Sequence, residues 1–174
     1  MSFPTQRSEG VAAGADAPLP RLNGAAHDVA VTALLGCCGS HRWAVRLAAH
    51  RPYPNVEALL AAADEASYDM TAADLAEALA DETAPHPLDG EPQQSTLAAH
   101  TALRAAQAAY ESRFKHTFLL CLDGCLPKDR LDHTLDGIRT RLENDHEQEW
   151  AITAEELRRV ARGRLARLAT SGTV

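Results

Sequence analysis

Aromatic residues and spaced cysteines are both scarce in this sequence. Phe, Trp and Tyr make up 5% of its 174 residues, whereas hydrophobic residues, with heavy use of Ala and Leu, make up 45%. This composition excludes a disordered chain and favours helices that pack on small side chains. The four cysteines form the adjacent pair Cys37 and Cys38 and the C-x3-C pair Cys121 and Cys125, unlike the disulfide framework of a small secreted domain. We therefore expect a helical protein with reduced thiols in the cytoplasm.

Long apolar runs and an excess of positive charge are also missing. The longest apolar runs, such as 118–122, are far shorter than the roughly 20 residues that cross a bilayer, and the first 24 residues contain no signal-peptide core. The 24 acidic and 17 basic residues give a formal net charge of −7, which repels nucleic acids and anionic membranes. We predict neither as a partner. Because no H-x-x-x-H or H-E-x-x-H pairing occurs, we predict no metal site.

Apolar residues recur at helical spacing along most of the chain, and proline, glycine and capping residues separate the segments. Residues 1–24 lack this period and are predicted to form a flexible leader. Residues 25–170 are predicted to form an all-α, single-domain multi-helix bundle of about seven helices. Residues 118–122 fit either a short strand or a buried turn of helix. The predicted helices cover residues 26–36, 40–50, 55–67, 71–81, 95–113, 127–143 and 147–169.

The longest predicted break in the domain, residues 83–94, contains three prolines and a glycine and is therefore predicted to be a loop. His86 lies between Pro85 and Pro87, whose fixed φ angles hold its imidazole on a stiff backbone. It is a candidate acid–base group, and the alternative is an exposed histidine without a role. His100 shares a helical face with core residues, where a histidine bonded to a carbonyl or carboxylate is the alternative to a catalytic one.

Arg164 stands out in the last helix because it falls inside the apolar arc of the helical wheel, two turns after Leu157 and one turn before Leu168. A guanidinium that points toward a core needs an anion. One interpretation is a partly buried ion pair with an internal carboxylate, or a stem along the surface with its head in water. The other is a site for the carboxylate of a substrate, which the planar guanidinium suits.

Several motifs occur in one order along the chain, and together they resemble the OHCU decarboxylases. These enzymes act on 2-oxo-4-hydroxy-4-carboxy-5-ureidoimidazoline in urate breakdown. The resemblance covers about residues 26–168. It rests on Leu35-Gly-Cys-Cys-Gly-Ser-His-Arg-Trp-Ala44, Arg51-Pro-Tyr53, Tyr110-x-x-x-Phe114, Arg141-Leu-Glu-Asn-Asp145 with Glu149, and Glu156 with Arg164-Leu165.

The resemblance implies an all-helical, usually dimeric enzyme without a cofactor, which decarboxylates its small-molecule substrate to (S)-allantoin. It implies His86 as the catalytic His-Pro histidine, Arg164 as a catalytic and substrate-binding cation, and Ser95 as a substrate-binding residue in the segment that matches the family's Ser-x-x-Glu-Gln motif. Here Ala98 and Ala99 replace Glu-Gln. The chain is therefore identified as a divergent member.

Two further hypotheses stay open. An ungapped match places Glu82 at the position of the family's histidine, four residues before His86. A related scaffold could therefore act on another small carboxylated substrate, with Glu82 or His100 as the acid–base group. The last hypothesis is a noncatalytic binding or assembly module. In it Arg164 pairs with an internal carboxylate, and Met at that position is neutral or stabilising.

Overall fold

The computed structural model describes residues 18–85 and 97–171. Within these ranges the chain forms eight α-helices, one 3-10 turn and no strand, so the all-α prediction is confirmed. The helices are α1 (Pro18–Gly24), α2 (His27–Leu35), α3 (His41–Ala49), α4 (Val56–Tyr68), α5 (Ala72–Ala80), α6 (Leu97–Phe114), α7 (Arg130–Arg141) and α8 (His146–Ser171), with the 3-10 turn at Pro127–Asp129.

Side chains that cap the backbone explain where three of the helices begin. The Ser40 hydroxyl accepts a hydrogen bond from the Trp43 amide at the start of α3, and the Asn55 side chain accepts one from Ala58 at the start of α4. Thr71 and Asp74 form a complete capping box at the start of α5. These bonds satisfy amide groups that have no partner inside the helix.

The long helix α8 organises the core, because α1 and α4 pack directly against it. Helix α3 lies against α2, α4 and α5, and α6 packs on α7. The larger hydrophobic cluster includes Trp43, Leu59 and Leu157. A smaller cluster around Tyr110 and Phe118 joins α6 and α7. No described helix is both long and apolar enough to cross a membrane.

Helix α1 corrects the predicted boundary of the leader. The prediction placed a flexible leader up to residue 24, but Pro18–Gly24 is helical and Leu22 is buried in the main cluster. The Arg51 guanidinium donates hydrogen bonds to the carbonyl groups of Leu22 (2.5 Å) and Ala25 (2.9 Å). Tertiary contacts stabilise this short helix, which has too few turns for a periodic pattern. Residues 1–17 lie outside the described part of the chain.

Residues 118–122 form neither of the two predicted elements. They are irregular backbone that lies against α8, where the Cys121 amide donates to Glu156 Oε2 at 2.7 Å. The Leu119 carbonyl accepts from Arg141 Nη1 at 2.6 Å. Side chains from two helices therefore satisfy backbone groups of this segment. These bonds take the place of the backbone hydrogen bonds that a strand or a helix turn would make.

Candidate active site

The candidate site is centred on an ion pair between Arg164 of α8 and Glu82. Arg164 Nη1 lies 2.6 Å from Glu82 Oε1, and Nη2 lies 2.9 Å from Glu82 Oε2. The Glu82 side chain is 5% exposed, whereas that of Arg164 is 35% exposed. The hydrogen bonds to Glu82 raise the pKa of the Arg164 guanidinium, against the opposing effect of burial. The pair therefore combines a buried carboxylate with a cation that solvent can still reach.

Local structure brings Glu82 to this place. The residue follows the C-cap of α5, and its amide donates to the Leu79 carbonyl at 3.2 Å. The turn before α3 packs closely on the same end of α5, since a Cβ atom on Gly39 would lie 3.2 Å from the Ala78 carbonyl oxygen. This close approach also places the Cys37 carbonyl 3.3 Å from Arg164 Nη1. Three separate segments thus meet at one guanidinium.

The two thiols beside the ion pair are protonated at neutral pH. Burial raises the pKa of both Cys37 and Cys38 to about 11, and the neighbouring Arg164 only partly offsets this effect. Thiolate is the reactive form of cysteine. Neither thiol is therefore suited to be a nucleophile at this site.

This environment predicts an order of thiol reactivity. In the folded protein at pH 7.5, a maleimide should label Cys121 and Cys125, which are half-buried, well before Cys37 and Cys38, which are buried. Mass spectrometry of tryptic peptides at successive times gives the order directly. The same reaction in denaturant is the control, in which all four residues should react at similar rates. Early labelling of Cys37 in the native protein would contradict the described burial.

The structure describes only some of the residues that were predicted from the sequence to be functional. His86 and Ser95 lie outside the described residues, so their roles stay predictions. Pro85, which precedes His86, accepts a hydrogen bond at its carbonyl from Gln107 Nε2 of α6 at 3.1 Å. His100 is half-buried in α6. The described hydrogen bonds bring together Glu82 and Arg164, two of the residues weighed for chemistry.

Four other motif residues, Tyr110, Arg141, Asn144 and Glu149, belong to a second polar cluster, away from the Arg164 and Glu82 pair. Arg141 of α7 donates from Nε to Glu149 Oε1 at 2.8 Å and from Nη2 to the Thr153 hydroxyl at 2.9 Å. The Tyr110 hydroxyl also donates to Glu149, and Asn144 donates to its second oxygen at 2.9 Å. Each polar group is thereby paired. This cluster was not predicted from the sequence, although Arg141 and Glu149 are both part of the motifs that carry the family resemblance.

Two cavities lie outside the ion pair. One, of about 480 Å³, is lined by residues that include Leu79, His116 and Trp150. The other, of about 230 Å³, is lined by residues that include Tyr68, Leu75 and Arg158. Neither contains Arg164 or Glu82. Across residues 18–85 and 97–171, no three His, Cys, Asp or Glu side chains converge in a way that could hold a metal ion.

A family model and solved structures match this chain. The model of the OHCU decarboxylase family matches residues 23–166. A crystal structure of OHCU decarboxylase in the presence of (S)-allantoin superposes with a TM-score of 0.67 at 20% identity, over 78% of this chain and 95% of that one. A crystal structure of (S)-allantoin synthase gives a TM-score of 0.64 at 17% identity, over 86% of this chain and 53% of that one.

At these identities the structural matches show the fold alone, and no curated protein matches the sequence. The family model, in contrast, covers most of the chain and includes both Glu82 and Arg164. It also spans the predicted motifs in their order. The chain belongs to the OHCU decarboxylase family.

Proposed function

We propose that this protein decarboxylates 2-oxo-4-hydroxy-4-carboxy-5-ureidoimidazoline to (S)-allantoin. The observation that carries the proposal is the Arg164 guanidinium, which is held on the apolar side of α8 and remains 35% exposed. A planar cation in this position is suited to bind a carboxylate through two parallel hydrogen bonds. Membership of the decarboxylase family supports this reaction class.

The chemistry needs a held carboxylate, stabilisation of negative charge and a proton. When the bond between the ring carbon and the carboxylate breaks, CO2 leaves and the electron pair stays on the ring carbon. Hydrogen-bond donors near the adjacent carbonyl stabilise this charge, and a general acid then protonates the carbon. We assign the carboxylate to Arg164, the proton to His86 and further substrate contacts to Ser95. This assignment requires no cofactor.

A noncatalytic binding module is the second candidate, and one observation favours it. Glu82 already gives Arg164 an internal carboxylate partner. If this pair is purely structural, the double substitution Arg164→Met and Glu82→Leu should leave the free energy of unfolding unchanged or raise it, because well-packed apolar groups often replace an ion pair without loss. In that case neither the wild type nor the double variant should turn over the ureidoimidazoline.

The deciding experiment is an assay on the ureidoimidazoline itself, generated in place from urate. Circular dichroism follows the disappearance of the chiral substrate and identifies the enantiomer of allantoin. We expect (S)-allantoin to form faster than in the protein-free reaction, which has no surface to select one face and should give both enantiomers. Heat-denatured protein is the control. A rate equal to the protein-free one would refute this reaction and leave the hypotheses of another carboxylated substrate and of a binding module.

We also propose that the protein acts in the cytoplasm as a homodimer. The location rests on its four free cysteines, and the dimer rests on the family resemblance. Sedimentation equilibrium over a range of protein concentrations tests the second point. A mass equal to one chain at every concentration would contradict it.

A further inference from the structure

One edge of the Arg164 guanidinium, the free edge, carries two donors that bind no acceptor within residues 18–85 and 97–171. An arginine carries five N–H groups in one plane. Nη1 donates to Glu82 Oε1 and to the Cys37 carbonyl, and Nη2 donates once, to Glu82 Oε2. The remaining donors, the Nε–H and the second Nη2–H, point in the same direction because Nη2 is the nitrogen trans to Cδ. In the described parts of the chain, no acceptor binds this edge.

The free edge has the form of a carboxylate site. Two parallel N–H groups match the two oxygens of a carboxylate. A ligand site on Arg164 requires that the cation be more exposed than its internal partner. The Glu82 side chain is 5% exposed and that of Arg164 is 35% exposed. Solvent therefore reaches the cation and not the internal carboxylate. A ligand could bind the free edge while Glu82 keeps the opposite one.

We propose that Glu82 is a positioning residue, which holds the Nη1/Nη2 edge of Arg164 so that the Nε/Nη2 edge forms the subsite for the substrate carboxylate. The proposal rests on the proposed function. It assigns a role to the residue that an ungapped match places where the family has its histidine. In this arrangement Glu82 orients the guanidinium and does not compete with the substrate.

Glu82 is the charged group that holds the guanidinium of Arg164. Cys37 and Cys38 are protonated thiols and carry no charge at neutral pH. Arg167, one turn further along α8, lies 3.3 Å from Asp123 and is 60% exposed. Arg167 and Asp123 thus form an exposed ion pair one turn along α8 from Arg164. It provides a matched control for the Arg164 and Glu82 pair.

The kinetic test uses Glu82→Ala, Glu82→Gln and Glu82→Asp, with Asp123→Asn as the control. Loss of the fixed guanidinium should raise KM for the ureidoimidazoline about tenfold in the Ala and Gln variants, and Asp should recover part of the loss. Asp123→Asn should leave KM unchanged. If Glu82 competes with the substrate instead, Glu82→Gln lowers KM. A lowered or unchanged KM in Glu82→Gln therefore overturns the proposal.

A second measurement does not depend on catalysis. In a ¹⁵N correlation spectrum, the Nε–H signal of Arg164 is assigned by its absence from Arg164→Lys. Acetate added to the wild-type protein should shift this signal, whereas chloride at the same ionic strength should not, and Glu82→Ala should weaken the response. The absence of an acetate shift in the wild type refutes the subsite even if the enzyme is active. A shift in a protein that is inactive on the ureidoimidazoline supports the subsite and refutes the proposed reaction.

Discussion

Replacing Arg141 with Met should lower the free energy of unfolding by about 3–5 kcal/mol, because it leaves a buried carboxylate without its cation. The Arg141 and Glu149 side chains are 6% and 1% exposed, with 2.6 Å between Nη2 and Oε1. The substitution also removes the donor to the Leu119 carbonyl. Equilibrium urea denaturation, followed by circular dichroism, measures the change.

Arg139→Met is the matched control on the same helix. Arg139 pairs with Asp136 at 3.2 Å, but the two side chains are 78% and 71% exposed. An ion pair this exposed contributes little, so the change should stay within about 0.5 kcal/mol. Equal effects of Arg141→Met and Arg139→Met would contradict the structural role of the buried cluster.

The same cluster should make the protein sensitive to acid. Burial alone would raise the pKa of Glu149, but hydrogen bonds from Arg141, Tyr110 and Asn144 outweigh it and lower the pKa below its ordinary value. A carboxyl group with a lowered folded-state pKa contributes stability above its unfolded pKa, and this contribution is lost as the pH falls through the folded value. Ordinary carboxyl groups titrate at about pH 4. The loss of stability between about pH 5 and pH 3 should therefore be smaller in Arg141→Met than in the wild type.

Replacing Arg164 with Lys should reduce kcat/KM for the ureidoimidazoline by roughly 100-fold to 1000-fold. Lysine keeps the positive charge, but its ammonium group is a point donor and cannot present two separate edges. It can bind Glu82 or the substrate carboxylate with good geometry, and not both. The folded state should be retained, since the charge opposite the buried Glu82 is preserved.

Arg167→Lys provides the comparison for this variant. It makes the same chemical change one turn along α8, at a side chain that is 60% exposed. We expect its kcat/KM to stay within about threefold of the wild type. Steady-state rates of (S)-allantoin formation, with melting temperatures measured in parallel, separate lost chemistry from lost folding. An Arg164→Lys variant as active as Arg167→Lys would remove Arg164 from the mechanism.

Helices were predictable where local interactions determine them. The capping residues Ser40, Asn55 and Thr71 bond to amides only three residues away, and the apolar period of α8 lies within one continuous segment. The sequence therefore places these elements to within a few residues. Helix α1 was missed because its stability comes from contacts with α8 and Arg51, which no local pattern encodes.

The candidate site was only half predictable. Arg164 could be singled out because a charge inside an apolar arc is visible on a helical wheel. Its partner could not be chosen among many carboxylates, since Glu82 is 82 positions away in the chain. The irregular segment at 118–122 was equally inaccessible. Its backbone is satisfied by Arg141 and Glu156, which come from two later helices.

The all-α class, most helix boundaries and the unusual position of Arg164 follow from the amino-acid sequence alone, because they depend on periodicity and on contacts within a few residues. The ion pair of Arg164 with Glu82 and the buried pair of Arg141 with Glu149 are visible only once the chain is folded. Packing brings distant segments together and excludes water from between them, and burial then makes each charge depend on one particular partner.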